Sequence, residues 1–316
     1  MVCCPRPGSL LGLEAALRVV RVACRVDGEK LLAESCSRYL GRTTRASPGI
    51  IWPVSDVVQS ADGIPIAFES AGTGGRALVF IHGWSCDRAY WKAQVPAFAD
   101  RHRVVALDLA GHGESGGGRA AYTMAAFGAD VAAVMDHLGL EDAVLIGHSM
   151  GGDAILETAL LRPDQVRGLV WVDTYATLGT PRTPEEVQEF TDSFRPDFVA
   201  RIDRLVRRFF PETSDPELIE WIMADMSSAS PEIALDVFPR AIGNHGRVLE
   251  LLPQLRVPLV SINPDYWPVD ADALLRHGVA DVLVMSGVGH FLMMEDPDRF
   301  NLLLDEALRR LDSASA

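Results

Sequence analysis

The sequence predicts an α/β fold, in which a mostly parallel sheet of eight strands carries helices on both faces and a helical insertion forms a lid. Two observations support this prediction. From about residue 54, short apolar runs rich in β-branched residues alternate with stretches of helix length, which is typical of parallel sheets covered on both sides. The alternation stops over residues 174–255, where helix signals follow one another with no strand signal between them.

Each predicted strand is an apolar run bounded by turn residues. The turn Ala61-Asp62-Gly63 joins the first two runs into a predicted hairpin. The eight predicted strands cover residues 54–60, 64–70, 77–81, 103–107, 143–146, 168–172, 258–262 and 281–285. Because functional residues of such sheets gather at the carboxyl ends of the strands, we expect the residues just past these runs to meet at one edge.

Helices are predicted over residues 89–99, 124–138, 153–161 and 297–311, and Gly139 stands where a helix commonly stops. The region 174–255 accommodates three or four more. Thr183 precedes a proline at the first helical position and a glutamate three residues after the cap, and Asp215 and Ser230 also precede a Pro-Glu pair. The expected organisation is a core of residues 51–173 and 256–316 with a lid of residues 174–255.

The first 50 residues differ in charge from the rest. They hold eight Lys/Arg against four Asp/Glu, a net charge of +4, whereas the whole chain carries −14. We expect a poorly ordered extension over residues 1–50, with residues 43–49 as a linker. Since the remaining chain is strongly acidic, nucleic acid is not an expected partner.

Cysteine usage and hydropathy suggest a cytoplasmic protein. Four of the five cysteines fall within the first 36 residues, and only Cys86 lies in the body. None forms a Cys-x-x-Cys pair with metal-site spacing, so no metal is expected. No apolar run reaches the ~18 residues that a membrane span needs, so no membrane span is expected.

The pentapeptide Gly147–Gly151 has the pattern Gly-x-Ser-x-Gly between a predicted strand and a predicted helix. A serine on such a sharp turn has strained backbone angles, and small neighbours let the strand and helix approach each other. Ser149 would then stand clear of the backbone at a helix N-terminus, whose dipole favours negative charge. A serine hydroxyl is a weak nucleophile and needs a base beside it.

Four segments in this order, residues 79–84, 108–115, 147–152 and 287–291, together resemble the α/β-hydrolase superfamily over residues 54–312. The resemblance implies that Ser149 is the nucleophile and His290 the general base. It implies that the backbone N–H groups of Trp84 and Met150 form the oxyanion hole. His148, the variable position of the pentapeptide, and Phe291 are expected to line the substrate pocket.

The carboxylate behind His290 has two candidates. Most members of the family carry it past the penultimate strand, where Asp265 lies two residues earlier than the usual position. Other members carry it one strand sooner, where this chain has Asp173. We prefer Asp173 and keep Asp265 as the alternative.

The resemblance implies a cofactor-free serine hydrolase that cleaves a small, apolar carboxylic ester through an acyl-enzyme. A perhydrolase, a thioesterase and a carbon–carbon bond hydrolase use the same scaffold and remain alternatives. A ligand-binding or signalling member with little turnover is a further alternative. The sequence leaves the oligomeric state open.

Overall fold

A computed structural model describes residues 54–178 and 181–314, and the predicted extension over residues 1–50 lies outside them. One sheet organises the chain. Its strands are β1 (Val54–Gln59), β2 (Pro65–Ala71), β3 (Ala77–Ile81), β4 (Arg103–Leu107), β5 (Ala143–His148), β6 (Val166–Val172), β7 (Leu259–Pro264) and β8 (Asp281–Met285). Their order is β1-β2-β4-β3-β5-β6-β7-β8.

The predicted fold class is confirmed. β2 runs antiparallel to both of its neighbours, and every other pair is parallel. Each predicted strand is present, with ends shifted by at most two residues. The central strands β3 and β5 are buried along their whole length, which explains why they read as continuous apolar runs without alternation.

The helices of the core cover the faces and the ends of this sheet. They are α1 (Gln94–Phe98), α2 (Met124–Leu138), α3 (Met150–Leu161), α9 (Ala271–Arg276), α10 (Leu292–Glu295) and α11 (Pro297–Ala314). The prediction of one helix over residues 89–99 is wrong, because a 3₁₀ turn at Arg88–Trp91 precedes α1. A continuous helix would need an N–H at Pro96 to bond the carbonyl of Lys92, and proline has none.

Five α-helices lie within the described part of the region 174–255, where three or four were expected. They are α4 (Pro184–Asp192), α5 (Phe198–Val206), α6 (Pro216–Ser228), α7 (Pro231–Ile242) and α8 (His245–Leu251). Thr183 and Glu186 form the expected capping box at α4. Asp215 and Ser230 cap α6 and α7. α5 and α8 lack a proline at their first position, so the sequence pattern did not mark them. We call this region, residues 174–255, the insertion.

Within residues 54–178 and 181–314, no helix combines the length and the apolar character needed to cross a membrane. In the same part of the chain, no three His, Cys, Asp or Glu side chains cluster as ligands for a metal ion.

The parallel strands bring the residues of the predicted catalytic site to one edge of the sheet. Ser149 follows β5, Asp173 follows β6, and His290 lies in the loop after β8.

The packing of α2 against α3 provides a test of how tightly this core is built. A Cβ added at Gly128 in α2 would lie 2.8 Å from Glu157 Cβ and 3.1 Å from the backbone nitrogen of Thr158 in α3. Overpacking typically lowers the free energy of unfolding by about 1–3 kcal/mol. This loss exceeds the gain of about 0.5–1 kcal/mol that alanine brings over glycine inside a helix. We expect Gly128→Ala to lower the free energy of unfolding by about 1 kcal/mol in urea titrations.

The matched control is Gly246→Ala in α8, where an added Cβ would meet nothing within 4 Å. This variant has the helix-propensity gain without the clash, so its stability should equal or slightly exceed that of the wild type. Equal stability of the two variants would contradict the close contact between α2 and α3.

Candidate active site

Ser149 stands on a strained turn between β5 and α3. Its backbone angles are φ 51° and ψ −121°, outside the regions that ordinary residues favour. Its N–H donates to the carbonyl of Val172 at 2.9 Å, which ties the turn to the end of β6. A Cβ added at Gly151 would lie 2.6 Å from the carbonyl oxygens of Ile81 and His82, so only glycine allows α3 to approach this closely. The Ser149 side chain is thereby held at the edge of the sheet.

His290 and Asp173 form a hydrogen-bonded pair beside this turn. The distance between His290 Nδ1 and Asp173 Oδ2 is 2.6 Å, and the two side chains are 13% and 5% exposed. Because a carboxylate only accepts, Nδ1 carries the proton and Nε2 keeps a free lone pair. Asp173 itself has a positive φ of 43°, and its N–H donates to the carbonyl of Ile262 at 2.9 Å. The carboxylate is therefore fixed by strands β6 and β7.

Asp265, the alternative carboxylate, lies elsewhere. Its side chain is exposed at the end of β7, and Oδ1 accepts the N–H of Gly287 at 2.9 Å. That hydrogen bond is the main reason why the pKa of Asp265 is below its usual range. Asp265 therefore stabilises the turn after β8, and the structure brings Asp173, not Asp265, to His290.

The two expected oxyanion donors adjoin Ser149. Met150 is the first residue of α3, so its N–H has no acceptor within the helix. A Cβ added at Gly83 would lie 3.3 Å from Ser149 Cβ, which places the loop that carries Trp84 directly against the serine. The indole of Trp84 points into the insertion, where Nε1 donates to the carbonyl of Ala234 at 2.9 Å. Trp84 therefore links the loop after β3 to α7.

His148 and Phe291 are each only 1% exposed. Burial holds the pKa of His148 well below its usual value, so the ring is neutral. Its Nε2 donates to the backbone carbonyl of His290 at 2.9 Å, and the two imidazole rings are 4.6 Å apart. The ring of Phe291 lies 5.3 Å from that of His148. Both residues thus support the His290 loop, and their role in lining a pocket stays a prediction.

Comparisons with known proteins agree with this fold. A family model described as the alpha/beta hydrolase fold matches residues 76–218. The dihydrolipoyllysine-residue acetyltransferase component of an acetoin cleaving system from Pseudomonas putida is 31% identical over 255 residues, which cover 77% of this chain and 66% of that protein. This chain therefore spans just under two thirds of that relative's length.

Two further relatives are matched over nearly their whole length. A 2-hydroxy-6-oxononadienedioate/2-hydroxy-6-oxononatrienedioate hydrolase from Pseudomonas sp is 28% identical over 275 residues, covering 81% of this chain and 95% of that protein. The solved structure of a thermophilic esterase from Thermogutta terrifontis has 28% identity and a TM-score of 0.70, covering 83% of this chain and 99% of that one. The chain belongs to the α/β-hydrolase superfamily.

In this α/β-hydrolase, His82 shapes the loop that leads to Trp84. The N–H of Leu109 donates to His82 Nε2 at 3.0 Å, so Nδ1 carries the proton and donates to the Gly83 carbonyl at 2.8 Å. Burial lowers the pKa of His82 to about 4, which keeps this neutral tautomer at all ordinary pH values. The arrangement turns the Gly83 carbonyl towards His82.

Sequence reasoning missed a buried polar pair that anchors the chain just after Asp173. Tyr175 Oη donates to Asp153 Oδ1 at 2.9 Å. The Tyr175 ring packs between Trp171, at 5.3 Å, and His245, at 5.4 Å. Burial raises the pKa of Asp153 to about 7. No local pattern marks this pair, because its members are separated by 22 residues and come together only when α3 packs against β6.

The His290–Asp173 hydrogen bond predicts which aspartate matters for turnover. Asp173→Asn should leave the imidazole in the wrong tautomer and lower kcat for a short-chain aryl ester by about 10⁴-fold. Asp265→Asn is the matched control, since it makes the same change at an exposed carboxylate and should retain kcat within about threefold. The measurement is steady-state kinetics of both variants. A larger loss of kcat in Asp265→Asn than in Asp173→Asn would contradict the pairing of Asp173 with His290.

The buried carboxyl of Asp153 predicts a pH dependence of stability. Its folded pKa of about 7 is above 3.8, the ordinary pKa of an aspartate, so between these values the folded state retains a proton that the unfolded state has lost. The free energy of unfolding therefore falls as pH rises through this window. Asp153→Asn keeps an acceptor for Tyr175 and does not titrate.

Urea titrations of the wild type and of Asp153→Asn at about pH 5 and about pH 7 isolate this contribution. We expect the wild type to lose on the order of 2 kcal/mol relative to the variant between the two pH values. Glu157, Asn244 and Tyr175 also interact with this carboxyl and are unchanged in the variant. A difference that stays constant with pH would show that Asp153 is ionised throughout.

Proposed function

We propose that this chain is a serine hydrolase that cleaves a neutral, apolar carboxylic ester through an acyl-enzyme on Ser149. The observation that carries the proposal is the 2.6 Å hydrogen bond between His290 Nδ1 and Asp173 Oδ2, at the edge of the sheet where Ser149 stands on its strained turn. A nucleophile, a base and a carboxylate that orients the base form the minimal unit for serine-based acyl transfer.

In the first half of the proposed reaction, Ser149 Oγ bonds to the acyl carbon while its proton passes to His290 Nε2. The ester carbonyl oxygen becomes an oxyanion, which the N–H groups of Trp84 and Met150 and the N-terminus of α3 stabilise. Asp173 remains ionised and stabilises the imidazolium. The bond to the leaving oxygen then breaks, and the leaving alcohol takes the proton from Nε2.

In the second half, water adds to the acyl carbon and His290 Nε2 takes one of its protons. The new oxyanion uses the same two N–H groups. The bond between the acyl carbon and Ser149 Oγ then breaks, and Oγ recovers the proton from Nε2 as the carboxylic acid leaves. The enzyme returns to its starting state without a cofactor, since every proton moves between Ser149, His290, water and substrate.

An apolar substrate fits the groups around the imidazole. The rings that contact His290 are those of His148, Phe209 and Phe291, and the His148 ring is uncharged. Arg207, in the adjacent stretch of the insertion, is directed to Asp203 and Glu220 on the outside. Uncharged surroundings of this kind beside the general base favour a neutral, apolar substrate over a carboxylate. The 28% identical esterase from Thermogutta terrifontis supports an ester as the substrate class.

Replacement of the nucleophile tests the proposal. In Ser149→Ala, kcat for a p-nitrophenyl ester should fall by 10⁴-fold or more, roughly the loss that follows removal of the nucleophile from a cooperative triad. A fluorophosphonate should label the wild type and not the variant, because only the serine oxygen can attack phosphorus. Circular dichroism and the melting temperature serve as controls for folding. An unchanged rate in Ser149→Ala would refute the nucleophile.

A panel of esters and thioesters with acyl chains from acetyl to decanoyl tests the substrate class. We expect kcat/KM for neutral esters to exceed that for dicarboxylic half-esters of equal length, because the rings that contact His290 are uncharged and would not pair with a second carboxylate. Failure of the wild type to turn over any member of the panel would favour a ligand-binding role.

A further inference from the structure

The loop that carries His290 is held by the insertion as well as by the core. The backbone N–H of His290 donates to the carbonyl of Phe209 at 2.8 Å. The ring of Phe209 lies 4.5 Å from the imidazole, with 34° between the two planes. The next residue, Phe210, stacks on Phe291 at 5.6 Å with 21° between the planes. Two consecutive residues of the insertion therefore cover two consecutive residues of the loop.

The close approach of the two segments depends on Gly289. A Cβ at this position would collide with the carbonyl oxygen of Phe209. Any other residue would push the insertion away from the loop and lengthen the hydrogen bond to His290. The glycine before the histidine thus has a packing role towards the insertion.

Glu295 provides a second link between the same two segments. Its Oε1 accepts the N–H of Gly289 at 2.8 Å, and its Oε2 accepts the hydroxyl proton of Ser214 at 2.7 Å. Glu295 is the last residue of α10, directly after the loop, whereas Ser214 lies in the insertion shortly after Phe210. One carboxylate therefore joins the histidine loop to the insertion.

Contacts from both parts of the fold determine where the imidazole lies. Asp173 binds Nδ1, and His148 Nε2 donates to the backbone carbonyl of His290 at 2.9 Å. The backbone N–H of His290 binds Phe209. Both backbone polar groups of the histidine are thus satisfied, one from the end of β5 and the other from the insertion. A general base must lie within a few tenths of an ångström of its working position, so each of these contacts affects the rate.

We propose that Phe209 is a positioning residue for His290, so that the insertion contributes to alignment of the general base and not only to substrate binding. The proposal rests on the proposed function, because it concerns the same serine, histidine and aspartate. The carbonyl of Phe209 fixes the backbone of His290, and its ring restricts rotation of the imidazole. Truncation of the ring then weakens catalysis even for a substrate too small to touch the insertion.

This role differs measurably from that of a pocket wall. A wall residue contacts the acyl chain, so its truncation raises KM and the loss grows with chain length. A positioning residue acts through His290, so its truncation lowers kcat by the same factor for acetyl and for longer esters. We expect Phe209→Leu to lower kcat about 10-fold to 100-fold for every chain length, with KM changed less than about twofold. Phe209→Tyr, which retains the ring, should restore most of kcat.

Phe190→Leu is the matched control. Phe190 lies in α4 of the insertion, is half-buried like Phe209, and packs against Phe194 and Phe238, not against His290. Its truncation removes a comparable ring from the insertion and should leave kcat within about twofold of the wild type. An equal loss of kcat in Phe190→Leu and Phe209→Leu would overturn the positioning role in favour of general disturbance of the insertion.

A second readout does not depend on turnover. In the Ser149→Ala background, hydrogen–deuterium exchange of the peptide that contains His290 reports how firmly the loop is held. Addition of Phe209→Leu should accelerate this exchange about tenfold, and addition of Phe190→Leu should not. Unchanged exchange together with unchanged kcat, or a loss confined to KM, would overturn the proposal. If the wild type hydrolyses no ester, the proposed function fails while the exchange experiment still decides whether Phe209 holds the loop.

Discussion

The close backbone contact between the Ser149 turn and the loop after β3 is the constraint on which the rest of the site depends. Gly151 in α3 packs against the carbonyls of Ile81 and His82, and Gly83 packs against Ser149. This contact holds the loop that carries Trp84 against the turn that carries Ser149 and Met150. The strain in that turn is tolerable because buried strands on both sides leave the turn no other conformation.

The insertion is joined to both halves of this site. Trp84, in the loop after β3, donates its indole N–H to α7, and Phe209 accepts the backbone N–H of His290. The segments that carry Trp84 and His290 therefore each contact the insertion. On the proposal that Phe209 positions His290, the insertion contributes to alignment of the general base, which is more than the covering role that its sequence suggested.

Local sequence patterns predicted the strands and several helix starts, because these depend on interactions between residues that are close in the chain. Apolar runs marked the buried strands, and the Thr183 and Asp215 caps marked helix starts, since each signal depends on neighbours in the chain. The same local reading failed between residues 89 and 99, where a 3₁₀ turn ends before α1 begins and Pro96 has no N–H to bond the carbonyl of Lys92. It also missed α5, because the residue that follows its N-cap, Asp197, is not a proline.

The sequence by itself determined the order of strands and helices, the serine on its turn, and the histidine on its loop, because these depend on residues that adjoin one another. Only the tertiary structure decided which aspartate lies against His290, since Asp173 and His290 are 117 residues apart and Asp265 binds Gly287 instead. The tertiary structure also decided that the ring of Phe209 lies against the imidazole of His290. Such contacts depend on how distant segments pack against one another, and packing of that kind leaves no periodic trace in a single sequence.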